Sequence, residues 1–262
     1  MIKLKKNMKK AVISLSIDDG KANVLNLINE FLLPLKIPAT IYAITGRIDG
    51  TLENKGCESL NLEQLLEIAK MGLFEIANHS NSHTNDLADI KLGHDKLCDW
   101  LGLDKSTKLG FACPGSELKI ARLNQMKSEL EEIGVLYVRT EDSTHLENPE
   151  KLKEKYSLGD DNAYITLQDH AFKNPGDFAF SSLVLYKGVN DLKELKLLTD
   201  YAVEHGKNLT IMIHNLARAN VEIYSNAWTF DLDVFGEYLH YINGLRKQDK
   251  LEILTVAESL RR

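Results

Sequence analysis

One phrase recurs along this chain and limits what it can fold into. A short apolar run is followed by a longer stretch with apolar residues at helical spacing. Strand-like runs fall at 11–17, 39–44, 74–77, 109–113, 135–138, 164–168, 209–213 and 252–256. The first helical stretch, about 22–33, carries Val24, Leu27, Ile28, Phe31 and Leu32, with Pro34 set to stop it. The next opens at Asn61 as a cap, with Glu63 and Gln64 in its first turn, and ends at Gly72. Further helices are expected over about 85–101, 118–133, 191–205 (closed by Gly206) and 231–245. Strand then helix, repeated about seven or eight times, predicts a parallel sheet with helices outside. A barrel and an open doubly wound sheet both satisfy the pattern. No Gly-x-Gly-x-x-Gly follows the first strand, which weighs against a dinucleotide fold.

The residues just after the strands favour the barrel. They are Asp18 and Asp19, His79 and His83, Pro114 and Gly115, Arg139 and Thr140, His170, and His214. In a barrel the carboxyl ends of the strands converge on one mouth, so six useful termini would meet there. The expected fold is α/β, a distorted (β/α) barrel of about seven parallel strands. Residues 1–10 read as a basic tail with Lys3, Lys5, Lys6, Lys9 and Lys10, and 11–262 as a single domain. A surface insertion rich in Asp, Glu and Lys is expected at 141–163.

Bulk properties exclude several classes. Hydrophobic residues at 44% and charged residues at 27% suit a globular domain, and a net charge of −6 argues against nucleic-acid binding. The three cysteines, Cys57, Cys98 and Cys113, have no C-x-x-C spacing, so no disulfide framework is expected. No segment reads as membrane-spanning, and none as a signal peptide. The expectation is a cytoplasmic address, or a secreted one if a leader has been removed. Oligomeric state is not legible.

Two motifs carry chemistry. Ser16-Ile17-Asp18-Asp19-Gly20 sets adjacent carboxylates at a strand end that opens into a glycine turn, where both can face one cavity. By itself it is also an Asp-Gly turn with a capping carboxylate. His79-Ser80-Asn81-Ser82-His83 spaces two imidazoles four apart, which on a helical turn would share one face and chelate one ion. Two unrelated surface histidines would give the same spacing. Asn78, Ser80, Asn81 and Ser82 can supply supporting hydrogen bonds.

Taken together, the motifs resemble those of the polysaccharide deacetylase family, with its NodB-type homology domain (carbohydrate esterase family 4-like). Its Thr-Phe-Asp-Asp-Gly motif corresponds to residues 16–20, and its His-Ser/Thr-x-x-His motif to 79–83. The resemblance implies removal of acetyl groups from an N-acetylated, less favourably O-acetylated, sugar or saccharide. It implies Asp19, His79 and His83 as metal ligands, with Zn²⁺ first and Co²⁺, Ni²⁺ or Mn²⁺ able to serve. Asp18 would be the general base, and His214, after the apolar run 211–213, the general acid. A backbone N–H near Gly115 would help hold the oxyanion, and Trp228 would wall the acetyl pocket or stack on a sugar, core packing being its other reading.

The third family motif, usually Arg-x-x-Pro, is different here. Residues 111–116 read Phe-Ala-Cys-Pro-Gly-Ser, similar to a variant subgroup without that arginine, with Cys113 where the subgroup has Tyr. Arg139 is the candidate replacement partner for Asp18, a surface arginine being the alternative. The family's Asp-x-x-Asp-Trp motif is not evident, and Asp142 and Asp169 are unranked candidates for pairing with the acid. His170 could be a third metal-binding histidine, a substrate contact or neither. Three rivals stand beside the deacetylase: an amidase on a non-sugar small amide, a non-catalytic metal- or carbohydrate-binding module, and a hydrolase using Cys113 and His214.

Overall fold

The computed structural model describes residues 9–54, 57–140, 172–185, 191–218 and 228–262. Most of the basic tail, the expected strand at 164–168, the insertion at 141–163, Asp142, Asp169 and His170 lie outside the described residues. Twelve strands are defined among those described: β1 (Ala11–Ile17), β2 (Ala39–Ala43), β3 (Phe74–Asn78), β4 (Leu109–Ala112), β5 (Val135–Thr140), β6 (Phe172–Lys173), β7 (Ala179–Ser181), β8 (Leu183–Val184), β9 (Asn208–Ile213), β10 (Asn215–Ala217), β11 (Thr229–Asp231) and β12 (Leu251–Ile253).

The sheet runs β9-β1-β2-β3-β4-β5-β7 with every neighbouring pair parallel. β8, one residue beyond β7, pairs back onto β9, with Leu183 opposite Ile211 and Val184 opposite Met212. The segment 179–184 therefore leaves the β5 edge and joins the β9 edge, and this closes the barrel at seven staves. Ser182 sits at the crossover, its hydroxyl donating to Thr140 O on one side (3.2 Å) and lying 3.8 Å from Met212 Sδ on the other. β12 is not an eighth stave. It pairs with Ala11–Ile13 while β2 pairs with Ser16 and Ile17, so it fills the gap where β1 and β2 diverge.

Period-two alternation divides the barrel staves into two faces. On β1, Ala11, Ile13, Leu15 and Ile17 join Ile41, Leu209, Ile211 and the apolar sides of the helices Leu192–His205 and Leu232–Lys247 in the main core. The other face points into the barrel, and its residues are often polar. Val12, Ser14 and Ser16 stand in register with Asn208, Thr210 and Met212. Across the interior, the Tyr42 and Tyr137 hydroxyls are 2.9 Å apart, Tyr137 donates to Glu75 (2.8 Å), and Thr40 donates to the other Glu75 oxygen (2.7 Å).

Most helix boundaries follow the sequence signals. Asn61 with Gln64 and Asp191 with Glu194 form reciprocal capping boxes, and Gly72 and Gly206 take left-handed φ at the helix ends. Two stretches differ from expectation. Pro34 does not stop the first helical stretch; it lies inside the last turn, Leu33–Leu35, after a π-helical turn at Ile28–Leu32, and the stretch ends at Lys36 in the left-handed region. The helix expected over 118–133 is two short ones, Ile120–Gln125 and Lys127–Glu132, joined at Met126. No described helix is long and apolar enough to cross a membrane.

Candidate active site

The inward rows of the staves reach the mouth as functional side chains. On β1 the row 12, 14, 16 continues to Asp18, and on β9 the row 208, 210, 212 continues to His214. The Asp18 N–H donates to Ile213 O (2.9 Å), which ties the two strand ends together. On β3 the inward row continues to His79, whose N–H donates to Ala43 O (3.0 Å). Simple alternation would send Asp19 outward. Its φ of +68° puts it in the left-handed region instead, followed by Gly20 at +60°, and this brings its carboxylate beside both histidines.

The His79–His83 segment is not the helical turn expected from its spacing. It is a loop in which Ser80 and His83 both take positive φ, +62° and +63°. The loop is held from outside by the helix Leu87–Leu101. Asp89 accepts from the Ser82 N–H (2.9 Å), the Ser82 hydroxyl (2.6 Å) and the Thr84 hydroxyl (3.0 Å), and Asn78 bridges Ile90 O and the Ser80 N–H. Asp89 was missed by sequence reasoning. It sits three residues into a helix and reads there as an ordinary first-turn carboxylate.

Asp19, His79 and His83 each offer one ligand atom, and the three lie within 4.8 Å of one another. Asp19 Oδ1 is 3.5 Å from His79 Nε2 and 3.6 Å from His83 Nε2. His79 Nδ1 is 2.8 Å from Ala112 O, so Nδ1 carries the proton and Nε2 presents its lone pair inward. Burial lowers the His83 pKa to about 4, leaving it neutral at pH 7. Burial alone would raise the Asp19 pKa, but the imidazoles of His79, His214 and His83 outweigh that and hold it far below the carboxylate range. Asp19 Oδ1 is also buried without a hydrogen-bond partner among the described residues. A carboxylate oxygen facing two imidazole nitrogens with no other partner among the described residues is an arrangement that a cation would complete, so the residues fit a divalent metal of the nitrogen- and oxygen-binding kind.

Asp18 lies beside this set, its Oδ2 3.8 Å from His79 Nε2. It is paired with Arg139, whose Nη2 donates to the same oxygen. Arg139 is not a surface residue: it is 0% exposed, comes from the inward row of β5, and lies 5.3 Å from the Tyr42 ring. Of the two sequence readings of this arginine, the structure gives the one that pairs with Asp18.

The remaining predicted residues border the same pocket, which is lined by Asp18, Asp19, His79, His83, Gly115, His214 and Trp228 among others. Trp228 is 42% exposed, so it is not core packing, and its ring centroid is 4.8 Å from that of His214. Burial pushes the His214 pKa down, with Asp18 and Asp19 opposing the shift, and its Nδ1 has no partner among the described residues. Gly115 lines the pocket with φ +60°. Cys113 is buried, its thiol donates to Asn85 Oδ1 (3.1 Å), and burial raises its pKa. A thiol so placed is a poor thiolate, which counts against the Cys–His hydrolase. Lys21 and Arg47 line the pocket too and were not anticipated.

With this geometry in view, comparison with known proteins gives one sequence match of consequence. Residues 5–108 match the polysaccharide deacetylase family. That span contains both motifs of the ligand set but neither Arg139 nor His214. No curated protein sequence matches the chain. Among solved structures, peptidoglycan deacetylase PdaC from Bacillus subtilis aligns over 97% of this chain and 91% of its own, with a TM-score of 0.50 and 18% identity. At that identity the likeness is one of fold, and it agrees with the closed parallel barrel. IcaB from Ammonifex degensii aligns over 48% of this chain and 58% of its own (TM-score 0.41, 22% identity). A polysaccharide deacetylase from Bacillus cereus aligns over 50% of this chain and 40% of its own (TM-score 0.39, 21% identity). The chain thus spans about 40–60% of the length of these last two proteins.

Proposed function

We propose that this protein is a metal-dependent deacetylase that hydrolyses the amide of an N-acetylated sugar or saccharide. The observation that carries the reading is the convergence of Asp19, His79 and His83 in one pocket with Asp18 and His214. The family match over residues 5–108 supports deacetylation of a carbohydrate in general terms.

Asp19, His79 and His83 would hold the metal, with Zn²⁺ the first expectation. When bound, a divalent cation supplies Lewis-acid polarisation of an acyl oxygen and makes water acidic enough to lose a proton near neutral pH. The chain's own residues do the rest. Asp18 takes a proton from the attacking water at its carboxylate. Arg139 holds that carboxylate in place, since its guanidinium bonds one oxygen and is itself held in the barrel interior. His214 stands at the neighbouring strand end and delivers a proton to the departing amine nitrogen, so the C–N bond breaks without expelling an amide anion. Trp228 at the mouth offers a broad apolar face to a sugar ring.

The test is acetate release from a panel of N-acetylated saccharides by protein supplied with Zn²⁺ or Co²⁺, with His79→Ala as control. Release that disappears in the control supports the reading. Bound metal with no release from any panel member would move the assignment to an amidase on another small amide or to a binding module.

A further inference from the structure

Two loops of the barrel mouth are tied together by one side chain that the mechanism does not use. Asn85 lies two residues past His83, on the approach to the helix Leu87–Leu101. Its amide reaches the loop after β4. Oδ1 accepts from the Cys113 thiol (3.1 Å), and Nδ2 donates to Pro114 O (3.0 Å) and to a Glu117 carboxylate oxygen (3.2 Å). The histidine segment grips the same backbone at a second point, where His79 Nδ1 donates to Ala112 O (2.8 Å). From the other side, the Cys113 N–H donates to Arg139 O (2.8 Å).

Pro114 O and the Gly115 N–H belong to one peptide unit. That unit is trans and planar, so the two groups point in opposite directions. A carbonyl turned to Asn85 therefore turns the Gly115 N–H away from Asn85. Among the described residues, Cys113, Gly115 and Ser116 line the pocket and Asn85 does not. Asn85 thus holds the loop from behind and directs the N–H to the pocket side. The loop needs such holding. Gly115 and Ser116 are consecutive residues with left-handed φ, +60° and +51°, and a serine persists in that region only where its surroundings fix it.

We infer that Asn85 is a positioning residue for oxyanion stabilisation. It fixes the direction of the Gly115 N–H through the carbonyl of the same peptide, and so registers that donor against Asp19, His79 and His83. The role rests on the deacetylase reading, in which the N–H meets the negative charge that develops on the acetyl oxygen. Donors fixed in advance stabilise that charge most, and a misplacement of about 1 Å can cost about 100-fold in rate.

Two substitutions separate the bonds. Asn85→Ala removes all of them. Asn85→Asp keeps the size and the acceptor for the Cys113 thiol, but sets a carboxylate oxygen against Pro114 O and Glu117. Both variants should bind Co²⁺ with wild-type stoichiometry and absorption spectrum, since the ligand atoms are untouched. On the N-acetylglucosamine oligomer that wild type turns over fastest, kcat should fall by about 10- to 100-fold while KM stays within about 3-fold, because the oxyanion forms only during reaction. Hydrogen exchange read by mass spectrometry tests the clamp without turnover. Amides of the 111–118 segment should exchange about 10-fold faster in both variants, and those of β1 at the wild-type rate. Wild-type kcat in Asn85→Asp overturns the inference, as does wild-type exchange over 111–118 in both variants. Loss of Co²⁺ binding in step with kcat also overturns it, because Asn85 would then serve the histidines and not the loop. Faster local exchange with intact Co²⁺ binding, but no N-acetylated probe turned over by wild type, would retain the clamp and remove the deacetylase reading. If Asn85→Ala does not fold, Asn85→Asp carries all three measurements.

Discussion

Asp18 and Asp19 are neighbours in sequence with unlike surroundings, and the difference comes from backbone conformation. Asp18 continues the inward row of β1 and meets Arg139, whereas Asp19 adopts left-handed φ and meets the imidazoles. Asp18→Asn should therefore keep metal uptake, read by titration, while kcat falls by about 10²- to 10⁴-fold. Retention of wild-type kcat would end its assignment as base. Arg139→Met leaves a carboxylate buried without its partner and should cost about 3–5 kcal/mol in urea denaturation. Combining it with Asp18→Asn should recover much of that loss, because the stranded charge is gone; strictly additive losses would mean that the pair is not coupled. The two aspartates and the two histidines were legible because the residue types and their spacing are visible in the sequence. Pairing of Arg139 with Asp18 could be raised from sequence only as one of two readings. Which face of β5 carries residue 139 depends on an irregularity of register between Leu109 and Gly110 on the neighbouring strand. Lys21 and Arg47 gave no signal, since a lysine after a glycine turn and an arginine in a short helix look like surface residues until the fold buries them.

At the scale of elements, the histidine loop and the helix beside it act as one unit. Gly93 lies on the helix Leu87–Leu101 where a Cβ would come within 2.5 Å of Asn78 Oδ1 and 2.8 Å of the Ser80 carbonyl carbon. Gly93→Ala should push the helix off the loop, costing about 1–3 kcal/mol in thermal denaturation, and should weaken metal binding measurably. Gly244→Ala is the matched control. It lies in the helix Leu232–Lys247 with nothing within 4 Å of the added methyl, so it should stabilise by about 0.5–1 kcal/mol. If both substitutions behave alike, the helix does not brace the loop. Helices with strong apolar stripes and capping residues were readable from sequence. The closing stave was not: Ala179–Ser181 and Leu183–Val184 are two or three residues each, pair with different neighbours, and have Ser182 between them. Strands that short carry no periodicity to detect. The strand expected at 252–256 is a shorter one, Leu251–Ile253, and Val256 already opens a helix capped by Thr255; its role as a filler between β1 and β2 is set by the divergence of those two and not by its own residues.

For the molecule as a whole, the barrel interior holds ionisable groups far from the mouth, and these tie stability to pH. Lys173 on β6 is 4% exposed, its Nζ lies 4.4 Å from the Phe180 ring centroid, and it has no hydrogen-bond partner among the described residues. Burial lowers its pKa from 10.5 to about 7, with Glu75 and Asp177 opposing the shift. In the unfolded chain it returns to the ordinary lysine value. Between pH 7 and 10.5 the unfolded state therefore binds the proton more completely than the folded state, and stability contributed by this group rises with pH through that window. The rise approaches about 1.4 kcal/mol per pH unit in mid-window. At pH 7 and below the folded protein carries the cost of a buried ammonium, so a neutral side chain of similar length should relieve it. Lys173→Met keeps the volume and leaves Glu75 bonded to Tyr137, Thr40 and the Ala257 N–H. Denaturation of wild type and Lys173→Met at pH 7, 8 and 9 should find the variant more stable at pH 7, with the gap closing steadily as pH rises. A gap of constant size would place the ammonium in contact with water and remove it from the barrel interior.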